Sequence, residues 1–169
     1  MRTTKWIVTV FMMVLIVSAP LVVVAQGAGE DVTLPPWRRE LPGGRRTAQI
    51  IVGDTPLTVD LAITPAEQTL GLGYRNGLEP GTGMLFVGSD ARPRTFWMKG
   101  MRFCLDIIWI EDNQIAGAAQ DACPDPPGTA DSAREVFASP GPVSYVLEVP
   151  AGWMAEHGYE AGTPVDLHP

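Results

Sequence analysis

Apolar positions change rhythm along the chain, and the densest run sets the centre of the fold. Phe103, Leu105, Ile107 and Trp109 keep the two-residue period of a strand, while Ile108 and Ile110 make its other side apolar too, which predicts a central strand covered on both faces. Asp106 interrupts this run, and a carboxylate among apolar neighbours must find partners or take up a proton. Upstream, Leu57, Val59, Leu61 and Ile63 alternate with Thr58, Asp60 and Ala62. With Gln49–Val52 they predict a strand pair around the turn Gly53-Asp54-Thr55-Pro56. Thr64-Pro65-Ala66-Glu67 starts a helix with a capping box, which Gly71 and Gly73 end within about two turns. Further strands are expected at Gly83–Val87, Arg94–Met98, Arg102–Ile110, Ile115–Gln120, Glu135–Phe137, Val143–Val149 and Pro164–Leu167, with a short helix within Pro150–His157. Glu111-Asp112-Asn113-Gln114 closes a tight hairpin. The resulting class is mainly β, a β-rich α+β domain over residues 47–169, packed as a compact antiparallel sandwich or barrel with one or two short helices.

The first residues follow another pattern. Arg2 and Lys5 precede Trp6–Ala25, where Thr9 and Ser18 are the polar exceptions. Residues 1–25 therefore read as a signal peptide cleaved after Ala25 or, if uncleaved, as a membrane anchor. Either way the remainder lies outside the cytoplasm, secreted or in the cell envelope. Residues 26–46, with Pro35-Pro36, Gly43-Gly44 and four arginines, read as a linker. In an exported chain of 169 residues with two cysteines, a Cys104–Cys123 disulfide is the default, with a reactive Cys104 thiol as the competing reading. A regular hairpin turning at Asp112 and Asn113 sets Cys104 opposite Asp121, one pleat from Cys123.

Charge narrows the partners. Setting Arg2 and Lys5 aside leaves 10 Lys and Arg against 19 Asp and Glu, which argues against a nucleic-acid partner. Five of the six cations after residue 46 fall between Arg75 and Arg102, either as solvated ion pairs or as an anion-binding patch. Histidines occur only at 157 and 168, and no nucleophile elbow or phosphate-binding glycine loop occurs, so neither an enzyme signature nor a cofactor site is evident. Met84, Met98 and Met101 lack the His or Cys cluster a metal needs. The leading reading is an envelope binding or accessory module whose pocket, built by Arg75, Arg94, Trp97, Lys99 and Asp106, accepts a small anionic or polar ligand. The alternatives are a hydrolase using Asp106 with Arg75, and a purely structural role in which Asp106 accepts backbone N–H groups or pairs with Arg75 or Arg94. The sequence leaves the oligomeric state open.

Several segments, in order and spacing, resemble the family catalogued as domain of unknown function 192, or uncharacterised protein family 0127. They are Thr64-Pro65-Ala66-Glu67 with Gly71-Leu72 and Arg75, Gly83-Met84-Leu85-Phe86, Phe96-Trp97-Met98-Lys99, Leu105-Asp106-Ile107-Ile108, Ser139-Pro140-Gly141-Pro142, and Tyr145 to Gly152. The resemblance implies a small, often exported β-rich domain without an assigned activity. It also implies Asn where Gly100 stands and Pro where Cys104 stands, so this chain departs from the pattern at both positions.

Overall fold

The computed structural model describes residues 46–73 and 75–168. The expected export segment and all but the last residue of the linker lie outside this range. Among the described residues nine strands and two short α-helices follow in order, with one 3-10 turn at Asp131–Ala133: β1 (Thr47–Val52), β2 (Thr55–Ala62), α1 (Pro65–Leu70), β3 (Thr82–Arg92), β4 (Thr95–Phe96), β5 (Leu105–Glu111), β6 (Gln114–Ala122), β7 (Phe137–Ala138), β8 (Val143–Pro150), α2 (Trp153–His157) and β9 (Val165–Asp166). Seven strands form one sheet in the order β6-β5-β8-β3-β2-β1-β9, and β4 pairs with β7 in a separate ribbon. The large sheet curls into a half-barrel. Its two edges meet where Gln114 bridges Pro164, with Ile115 N–H donating to Thr163 O and Val165 N–H to Asn113 O. The β-rich class is as expected, but the ladder is not wholly antiparallel. β2 and β3 run parallel, because α1 carries the chain back to the starting end of β2 before β3 begins.

β5 is the central strand its composition predicts, with every residue from Leu105 to Ile110 buried. Alternation divides two cores between the faces of the sheet. Ile108 and Ile110 pack on one side with Ile50, Leu57, Leu147 and Trp153. Leu105, Ile107 and Trp109 pack on the other with Met84, Phe86, Met98 and Val146. α1 begins on the expected capping box: Glu67 N–H donates to Thr64 Oγ1 at 3.3 Å, and Thr64 N–H returns to Glu67 Oε2 at 2.7 Å. Arg46 adds a fork onto the same carboxylate, and these donors hold the Glu67 carboxyl down at about 2.

The β5–β6 hairpin turns at Asp112 and Asn113, both with positive φ, as a two-residue loop requires. Its register is less regular than the sequence implies. Ile110 faces Ile115, Trp109 faces Gly117, Ile107 faces Ala119, and Leu105 faces Ala122, so two bulges each advance β6 by one residue. Extending the last pair brings Cys104 opposite Cys123 rather than one pleat away. The two form a disulfide, with Cα atoms 4.1 Å apart.

The strand expected over Arg94–Met98 shortens to Thr95–Phe96. Its partner β7 is two residues long and runs into Ser139-Pro140, where proline offers no N–H to continue the ladder. Gly100 then turns the chain at φ 76. Gly and Asn are the residues that tolerate this left-handed conformation best.

Candidate functional site

A cleft of about 680 Å³ opens on the second core's face of the sheet. α1 forms one wall. Gln68 fixes that helix over the sheet, its Nε2 donating to Val87 O at 2.8 Å and to Ala62 O at 3.2 Å. The opposite wall is the segment from Arg92 to Lys99, held by the Ser139-Pro140-Gly141 corner: Arg94 N–H donates to Ser139 Oγ, and Ser139 N–H donates to Arg94 O. Phe96 meets Phe86 edge to face with centroids 5.0 Å apart. Leu72, Phe86, Phe96, Trp97 and Met101 give the cleft an apolar lining, and Arg92, Arg94, Lys99 and Glu148 give it its charges.

The structure brings three of the five expected site residues to this cleft. Trp97 lines it at 47 % exposure, with Lys99 Nζ 5.1 Å from its ring centroid. Lys99 is also paired with Asp131 at 2.5 Å. Arg94 is buried, its Nε donating to Val143 O at 2.9 Å and its Nη2 to Asp90 O at 3.0 Å. It passes over Gly88, where a Cβ would collide with the guanidinium. Burial draws its pKa downward from the usual guanidinium value. Arg75 stands on the same side of the sheet outside the lining, its Nη1 bonded to Asp60 Oδ2 at 2.8 Å.

Asp106 faces the other way. It pairs across β8 with Val149, in the first core. Its fully buried carboxylate accepts from Gly152 N–H at 3.1 Å, Met154 N–H at 2.8 Å and Asp121 N–H at 3.0 Å. Two of those donors belong to the start of α2 and the third to the bulge residue that brings Cys123 into register. Asp106 thus does what the structural reading of the sequence described: it ties three segments together through orphan amides.

The residue that sequence reasoning passed over is Glu148. It lies mid-strand in β8, opposite Met84 and Ile107, and points from the second core into the cleft at 6 % exposure. Its Oε2 is buried and has no hydrogen-bond partner among the described residues. Burial pushes the carboxyl up to about 8, against the pull of Arg75, so it is mostly neutral at pH 7. The available signal was the one that drew attention to Asp106: a single acid inside the apolar run from Val143 to Val149. Among the described residues no group of three His, Cys, Asp or Glu side chains is placed to hold a metal.

Residues 48–167 match the sequence profile of a family described as uncharacterized ACR. Two solved structures share the architecture. One, from Sinorhizobium meliloti 1021 and described as a candidate transcription regulator, is 29% identical with a TM-score of 0.65, the match covering 73% of this chain and 95% of that one. The other, a protein of unknown function from Novosphingobium aromaticivorans DSM 12444, is 29% identical with a TM-score of 0.64, covering 75% and 89%. No curated protein matches the sequence.

Proposed function

The chain belongs to the DUF192 family, and on that premise we propose that it is a cell-envelope binding module whose cleft takes a small ligand bearing an anionic group. The observation that carries the reading is the cleft itself, an apolar chamber with Arg92, Arg94 and Lys99 along one wall. A cavity of this size with few convergent polar groups is the usual form of a small-molecule site. Arg94 spends Nε and Nη2 on backbone carbonyls and keeps Nη1 without a partner among the described residues, available to an anion. Trp97 offers an exposed ring beside it. The disulfide supports an extracytoplasmic address, with residues 1–25 as the export or anchoring segment. Nucleic acid is left out because the acidic balance of the chain opposes phosphate backbones. A hydrolase built on Asp106 with Arg75 finds no support in the geometry, since the two lie on opposite faces of the sheet and the Asp106 carboxylate is engaged by three amides.

The test is a thermal-shift screen of the full-length chain against phosphates, sulfonates, carboxylates and neutral sugars, with Trp97→Ala as the control. A compound at one hundred times its Kd adds about 2.7 kcal/mol, a rise of several degrees for a domain of this size. A rise with an anion that disappears in Trp97→Ala supports the reading. No rise with any anion overturns it.

A further inference from the structure

We propose that the cleft is built for a small organic carboxylate on an apolar body, and that the buried carboxyl of Glu148, in the cleft lining, forms a hydrogen bond with the carboxylate of that ligand. This rests on the anion-binding reading and names the anion. Glu148 lines the cleft with its side chain more than nine-tenths buried, and its buried Oε2 has no hydrogen-bond partner among the described residues, so a ligand in the cleft can supply one.

The surroundings select that partner. The groups flanking Glu148 on neighbouring strands are apolar, Met84 on β3 and Ile107 on β5. Gln68, reaching over from α1, has its amide N–H groups committed to Val87 O and Ala62 O. The charged group acting on Glu148 is Arg75, itself bonded to Asp60. Arg92, Arg94 and Lys99 line the cleft, accompanied by Asp90 near Arg92 and by Asp131 on Lys99. An ammonium ligand would have to pass these cations and settle beside Arg75, which like-charge repulsion disfavours. A carboxylate meets the opposite situation: its charge is favoured by the same cations, and an O–H to carboxylate hydrogen bond is among the shortest and strongest available. Leu72, Phe86 and Phe96 receive the apolar body. A second net charge would be held next to a buried carboxyl, so a monoanion fits better than a phosphate dianion.

The arrangement fixes a pH dependence with a definite sign. The bound state needs the proton on Glu148. Once that proton is lost in the free protein, binding must take one up, and affinity falls about tenfold per pH unit. Glu148→Gln keeps an N–H donor at the same place and cannot ionise, so its binding stays level over the same range.

Isothermal titration of the full-length chain with phenylacetate and octanoate, between about pH 6 and pH 9, decides the matter, with phenylacetamide as the neutral match. The expected result is binding of a carboxylate at pH 6 to 7, at least tenfold tighter than phenylacetamide, falling above about pH 8 in the wild type and level in Glu148→Gln. Equal affinity for acid and amide, or a level wild-type profile, overturns the proposal even if the glutamine variant fails to fold. If phosphates or sulfonates bind and depend on Trp97 while carboxylates do not bind, this inference falls and the broader anion reading stands. If no anion binds, both fall.

Discussion

Asp106→Asn removes the charge at the junction of β5, β6 and α2 without changing side-chain shape. The carboxylate accepts three backbone N–H groups, two on Oδ1 and one on Oδ2. A hydrogen bond to a charged group contributes about 1.5–3 kcal/mol, and a neutral one about 1. The least costly amide orientation keeps its oxygen toward Asp121 and Gly152 and turns NH₂ against the Met154 N–H, donor against donor. That loses one charged bond and weakens two others, a cost of about 3 kcal/mol or slightly more. For a domain of roughly 120 residues this lowers Tm by roughly 10 °C. Urea unfolding of the disulfide-intact full-length chain measures it as a lower midpoint with unchanged slope. Amide hydrogen exchange at Asp121, Gly152 and Met154 should quicken beyond the global change, because those three donors lose their acceptor. A loss below about 1 kcal/mol, with those amides unaffected, would refute the account of Asp106 as the tie between the bulge and α2.

Three further outcomes follow from the same geometry. Glu148 is held near 8 when folded against an ordinary 4.5, so the folded state binds the extra proton and stability falls as pH rises between those values; chemical denaturation across that range should show Glu148→Gln gaining on the wild type by up to several kcal/mol at pH 8. Gly88→Ala sets a Cβ against the Arg94 guanidinium and 2.6 Å from Ser144 O, and should cost about 2 kcal/mol or more by thermal melting, whereas alanine at Gly77, which has open space, should cost far less. Cys104→Ser with Cys123→Ser opens a loop of 19 residues' separation and should lose about 3 kcal/mol, while thiol titration of the unreduced wild type should find no free cysteine.

The sequence reveals those features that local chemistry decides. The apolar run through β5, the hairpin at Asp112-Asn113 and the capping box at Thr64 and Glu67 depend on residues within a few positions of one another, and each is where the pattern puts it. Long-range geometry was harder to read. The parallel β2–β3 pair depends on where α1 returns the chain, which no periodicity encodes. The exact pairing of Cys104 with Cys123 depends on two bulges, and the second is held by Asp106 from across the hairpin, through a bond to the Asp121 N–H that the apolar pattern does not encode. Asp106 and Glu148 look alike in sequence, each an acid inside an apolar strand. What separates them is the sheet face: the first core supplies three N–H groups to Asp106, and the second leaves Glu148 facing a cleft. Charge in the sequence is compatible with Arg94 and Arg75 as ligand groups or as internal partners; much of each guanidinium is committed to the protein itself, a partition visible only once β8 and β2 are in place.

The central claim is that a neutral carboxyl in the lining of this cleft awaits an anionic ligand. Carbon-13 NMR of the side-chain carboxyl of Glu148, titrated with pH and assigned by its loss in Glu148→Gln, tests it most directly. The account predicts a midpoint near 8 in the free protein, moving higher when phenylacetate is added, because the bound carboxylate holds the proton in place. A midpoint near 4.5, unmoved by phenylacetate, would contradict it.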